Sequence, residues 1–100
     1  MKDLYTKIDN CCRTEIVRRN HQLVKNTKEL MPDIIEFTNV VMDSSNFELD
    51  DETYQILRIQ YVGIVEDLMS GLENQDEVLV MDSLYGGLLE FINLFLDDVQ

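Results

Sequence analysis

The chain has no tryptophan, one proline, four glycines, one histidine and two cysteines in 100 residues. Each scarcity excludes something. So little glycine and proline rules out the composition of linkers and disordered or collagen-like chains, and 45% apolar against 28% charged residues is enough to bury in one domain over 1–100. Two adjacent cysteines, Cys11 and Cys12, form neither a disulfide framework nor a C-x-x-C metal motif. On a helix they project ~100° apart, and a vicinal bridge needs a strained backbone, so both read as reduced: a small buried hydrophobe and a half-exposed thiol. There is no glycine-rich phosphate loop, Gly-x-Ser-x-Gly elbow or histidine at carboxylate spacing, so no catalytic, cofactor or metal residues are expected and the chain does not read as an enzyme. No apolar run approaches the ~18–20 residues that span a bilayer. The start, Met1 to Lys7, leads into mixed polar sequence, so the expected setting is cytoplasmic, with no membrane partner.

Basic groups are scarce too, and confined. Residues 1–28 hold seven of the eight (Lys2, Lys7, Arg13, Arg18, Arg19, Lys25, Lys28) against three acids; from Glu29 onward 17 acids face Arg58 alone, and the net charge is −12. Such a surface repels phosphate backbones, so nucleic acid is not an expected partner. Either the basic first segment lies against acidic neighbours within the fold or it docks an acidic partner.

What is abundant is helical periodicity. Leu4, Ile8, Cys12, Ile16, Leu23, Leu30, Ile34, Phe37 and Val41 recur at threes and fours or their sums, which predicts an amphipathic helix over 2–43. Its one punctuation is Met31-Pro32, where the missing N–H and the ring predict a kink or a restart. Residues 43–50 read as loop, with Asp50 as N-cap and Leu49 placed to staple against Tyr54. Tyr54, Leu57, Tyr61, Ile64, Val65, Leu68, Met69 and Leu72 form a second stripe that is expected to fray or stop at Ser70-Gly71. Asn74, with Glu77 three residues on, suggests a capping box before a third stripe, Met81, Leu84, Leu88, Phe91, Ile92 and Phe95, ending near Asp97. No alternating, strand-like segment competes. The expected fold is all-α: an antiparallel helical bundle of three long helices, the first kinked or broken near Pro32, three to four helices in all. A helix over 2–43 would reach ~63 Å against ~30–33 Å for the later two. Either it folds back near 26–32, or its N-terminal half packs on another copy, as a homodimer.

Three local features invite chemistry. The acidic run Asp43 to Glu52 lacks the EF-hand pattern, because Phe47 stands where an oxygen ligand is needed and Glu48 replaces the turn glycine. His21-Gln22-Leu23-Val24-Lys25 resembles the His-x-Leu-Lys-Gly helix of histidine phosphotransfer domains, but its lysine comes one residue late, at the place of the small residue. That resemblance implies phosphoryl acceptance on His21, the alternative function. Gly86-Gly87 would cost a helix ~2 kcal/mol relative to alanine, so something is expected to come close there. These glycines, with Tyr85 and the basic pair Arg18 and Arg19, are the candidate interface.

Leu68-Met69-Ser70-Gly71-Leu72-Glu73-Asn74-Gln75-Asp76, followed by Leu79 and the stripe Leu84 to Phe95, resembles small uncharacterised bacterial helical proteins and, more distantly, the flagellin export chaperones. The resemblance covers about 40 residues and carries over no functional residues. It implies a cytoplasmic, non-enzymatic helper that holds a helical segment of a client. The expected function is therefore a small acidic protein-binding or adaptor module, in the manner of a secretion or flagellar chaperone.

Overall fold

The computed structural model describes the backbone of residues 2–19 and 21–99 and the side chains of 3–19 and 21–94. Among these residues there is no strand. Helices α1 (Lys2–Arg18), α2 (Leu23–Val41) and α3 (Asp51–Glu73) are followed by α4 (Glu77–Met81), a π-helical segment (Asp82–Leu88) and α5 (Leu89–Val99), which succeed one another without a break. The last three act as one rod, so the architecture is a four-helix, up-down-up-down bundle. Its antiparallel neighbours are fixed by contacts such as Lys7 with Asp33, Thr38 with Tyr61, and Gly71 with Val80. No helix among the described residues is long and apolar enough to cross a membrane.

The chain does not break at Pro32. Helix α2 runs through it, and the reversal comes ten residues earlier, between Arg19 and Gln22. Pro32 and Lys28 both lie on the exposed side of α2, so the carbonyl that loses its donor is on the side of water, while Leu23, Thr27, Ile34, Phe37 and Val41 are buried on the other side. The reversal uses two left-handed residues, Arg19 (φ 48°) and His21 (φ 58°), and an internal anion. Glu15, only 8% exposed, accepts the backbone N–H groups of His21 (3.1 Å) and Gln22 (2.8 Å), while its carbonyl accepts from Arg19 N–H at 2.8 Å. One residue of α1 thus supplies the partner for donors at the start of α2, whose N-cap Gln22 makes no side-chain cap of its own. Ile16, expected on the apolar face, is half exposed because the helix ends before that face continues.

Two caps also differ from expectation. Asp50 does cap α3, accepting from Thr53 N–H at 3.3 Å, a bond that holds its carboxyl below the usual value. The ring packed on Tyr54 is however Phe47, at 5.6 Å between centroids, and Leu49 stays exposed. Asp76, not Asn74, is the N-cap of α4, accepting from Leu79 N–H at 3.2 Å. Asn74 closes α3 instead, its amide donating to Ser70 O at 2.9 Å. Helix α3 does not stop at Gly71, which is buried where α4 crosses: a Cβ there would lie 2.8 Å from Val80 Cγ2.

The core runs from Leu4, Ile8 and Cys12 through Leu23, Ile34, Phe37 and Val41 to Leu68, Leu84, Leu88 and Ile92. At its centre Phe37, Tyr61 and Phe91 pack edge-to-face or tilted, with centroids 5.0–6.4 Å apart. The Tyr61 hydroxyl is satisfied by Thr38 Oγ1 at 2.6 Å, and Thr38 donates on to Ile34 O at 2.8 Å. In the π segment Leu89 N–H donates to Leu84 O, five residues back. The extra residue per loop turns Leu84, Leu88 and Leu89 all inward, which an unbroken α ladder would not do. The side chain of Phe95, expected to end this stripe, lies outside the described residues.

Candidate functional site

The fold splits the two glycines that the sequence pairs. A Cβ on Gly87 would meet Ile64 of α3 at 2.9 Å (Cγ2) and 3.3 Å (Cγ1), whereas one on Gly86 would meet nothing within 4 Å. Close packing therefore belongs to Gly87, and its neighbour is Ile64. Gly63, midway along α3, is also open within 4 Å. Between these two bare stretches of backbone lies a groove of about 410 Å³, walled by α3 on one side and by the π segment and α5 on the other. Ile64, Phe91 and Leu94 give it an apolar lining, with Leu94 60% exposed. Gln60, Asp67 and Glu90 form the remainder of its lining, so both of its charged groups are acidic.

The other expected interface residues are placed elsewhere. Tyr85 is partly exposed and, like Arg18 and Arg19, does not line the groove. Arg18 and Arg19 stand exposed at the end of α1, where the chain reverses, and make no ion pair among the described residues. The basic segment does lie against acidic neighbours, though sparingly. Lys7 Nζ reaches Asp33 Oδ2 across to α2 at 2.8 Å, and Arg13 pairs with Asp9 one turn back.

His21 is not on a helix. It lies in the left-handed turn between α1 and α2, with Nδ1 3.2 Å from Glu77 Oε2. A phosphotransfer histidine was expected on a helical face, and that placement is lost because Glu15 caps the turn at this point. The cysteines are free, Cys12 buried and Cys11 half-buried. Burial, aided by Cys11 and Asp9, pushes the Cys12 thiol up to about 12, and burial likewise raises Cys11, the Thr27 hydroxyl opposing. Neither is a thiolate nucleophile at neutral pH. No group of three or more His, Cys, Asp or Glu placed to hold a metal occurs among the described residues.

The groove is lined by bare backbone, apolar side chains, the Gln60 amide and the carboxylates of Asp67 and Glu90, with no serine, cysteine, histidine or lysine among them. It can hold a shape. The sequence identified its Gly86 wall but missed Gly63, Asp67, Glu90 and Leu94. Spacing carried no signal for them, because each falls off the apolar stripe of its helix. No family model, no curated protein and no solved structure matches the chain.

Proposed function

We propose that this protein is a small, non-catalytic protein-binding or adaptor module, cytoplasmic in setting, that holds an amphipathic helical segment of a client in the groove between α3 and the π segment. The observation that carries the reading is the pair of open glycines, Gly63 and Gly86, facing a channel lined by Ile64, Phe91 and Leu94. Missing Cβ atoms on both walls let a partner helix approach the backbone closely, which is the geometry of helix-in-groove recognition. Asp67 and Glu90 select a segment whose polar flank is basic. A helper that shelters an exposed segment of a secreted protein fits this description.

Two labelled peptides of equal length and equal apolar face, one with lysine and one with glutamate on the polar face, test it by fluorescence anisotropy. The basic peptide should bind and the acidic one should not. Gly86→Phe, which fills the groove from an exposed position, should weaken binding at least tenfold while the circular dichroism spectrum is unchanged. Equal binding by wild type and Gly86→Phe would remove the groove from the reading. Phosphotransfer through His21 is the competing outcome: after incubation with acetyl phosphate, an acid-labile phosphoryl adduct in the intact mass that disappears in His21→Ala would establish it.

A further inference from the structure

Helix α3 is apolar on two opposite sides. Tyr54, Tyr61, Leu68 and Leu72 are buried, and around the other side from them Ile59 is 70% exposed and Val62 36%. With Gln55, Arg58, Gly63 and Glu66 these two line a shallow depression of about 460 Å³ on the outside of the bundle. Gly63, on the edge that the depression shares with the client groove, is open within 4 Å. The charges on this face are unusual for the molecule. Arg58 is the one base between residues 29 and 100, it is exposed, and it makes no ion pair among the described residues. Glu66 is eight residues further on, ~12 Å along the helix, too far for Arg58 to pair with it in its own chain.

We propose that this face of α3 joins a second copy of the chain, helix against helix, antiparallel about a two-fold axis passing at Val62. That operation sets Arg58 of each copy beside Glu66 of the other, makes the ion pair twice, and packs Ile59 and Val62 of both copies over the bare backbone at Gly63. A two-fold interface uses one patch twice, so the patch has to be complementary to itself. This one is, with its positive end and its negative end equally distant from the centre. A parallel pairing would put Arg58 on Arg58 and Glu66 on Glu66, which like-charge repulsion opposes. A wholly basic partner would leave Arg58 opposed and a wholly acidic one would leave Glu66 opposed; the second copy satisfies both. The surface lies on the opposite side of Gly63 from the client groove and does not depend on the groove being used.

Sedimentation velocity over rising protein concentration tests the pairing with charge reversals at exposed positions. The wild type should sediment as a dimer at the upper concentrations. Arg58→Glu and Glu66→Arg should each raise the dissociation constant at least tenfold, since each places two pairs of like charges across the interface. The double variant Arg58→Glu/Glu66→Arg should restore the dimer. A monomeric wild type at every concentration, single reversals that dimerise like wild type, or a double variant that stays monomeric would each overturn the proposal. Thermal melts of all four proteins confirm that the comparison is between folded chains, and peptide binding to the client groove is read separately.

Discussion

A methyl group at position 87 would press on Ile64, a β-branched side chain held between α3 and the π segment, while one at position 86 would enter open space. The two alanine substitutions should therefore have opposite signs. Gly87→Ala is expected to destabilise by about 1–3 kcal/mol through overpacking, and Gly86→Ala to stabilise by up to ~1 kcal/mol, because alanine is the better helix former. Urea titration of each single variant decides it, and two stabilised proteins would mean that Ile64 yields without cost. A second residue-scale prediction comes from Cys12. Its thiol ordinarily ionises near 9.0 and is pushed up to about 12 by burial, so the folded protein holds a proton that the unfolded chain releases. The stability from this group is complete below pH 9.0 and is lost as pH rises toward about 12, at about 1.4 kcal/mol per pH unit. Cys11, Tyr61 and Lys7 are raised as well and add to the alkaline loss. Unfolding free energies measured in steps over this range should fall less steeply for Cys12→Ala than for wild type; parallel slopes would show that the thiol is not the group responsible.

At the scale of elements, the end of α3 is built without the residue best suited to it. Gln75 adopts φ 51°, its N–H donates to Leu72 O at 3.4 Å, and Asp76 N–H donates to Gly71 O at 2.8 Å. These are the paired bonds that close a helix on a left-handed residue, a position where glycine avoids the Cβ penalty. Gln75→Gly should accordingly raise the melting temperature, by a stabilisation of about 0.5–1 kcal/mol. Asn74→Gly should lower it, since Asn74 has a right-handed φ of −93° and its amide holds Ser70 O. A melting temperature that falls in both variants would contradict this account of the turn. Pro32 is the other departure from local preference: packing of α2 overrides it. Pro32→Ala should restore a ladder bond on the exposed side and stabilise by about 2–3 kcal/mol, and an unchanged unfolding midpoint would mean that the proline's rigidity in the unfolded chain compensates.

At the scale of the whole molecule, charge opposes the fold. The net charge is −12 with the histidine neutral, and the described residues show only Lys7–Asp33 and Arg13–Asp9 as close Lys/Arg–carboxylate pairs, both solvent-accessible. Exposed pairs of this kind contribute at most about 1 kcal/mol each, less than the repulsion among acids crowded onto α3 to α5. Added NaCl at neutral pH should raise the melting temperature by screening that repulsion. A steady fall from low to moderate salt would show that attraction between the basic first helix and its neighbours dominates.

The all-α class, the apolar stripes of the later helices and the Asp50 cap were determined by the sequence alone, because each rests on residues three or four apart that interact whatever the rest of the chain does. The position of the first reversal was not. Pro32 carries the stronger local signal, yet the chain turns at Arg19–Gln22, where Glu15 is free to fold its carboxylate under two backbone donors once α1 and α2 lie side by side. The π segment, the contrast between Gly86 and Gly87, and the groove shared by Gly63 and Leu94 were likewise decided only by tertiary structure. Local spacing specifies which face of a helix is apolar; which part of that face another helix covers is settled by the separation of the packed backbones, and that depends on the whole bundle at once.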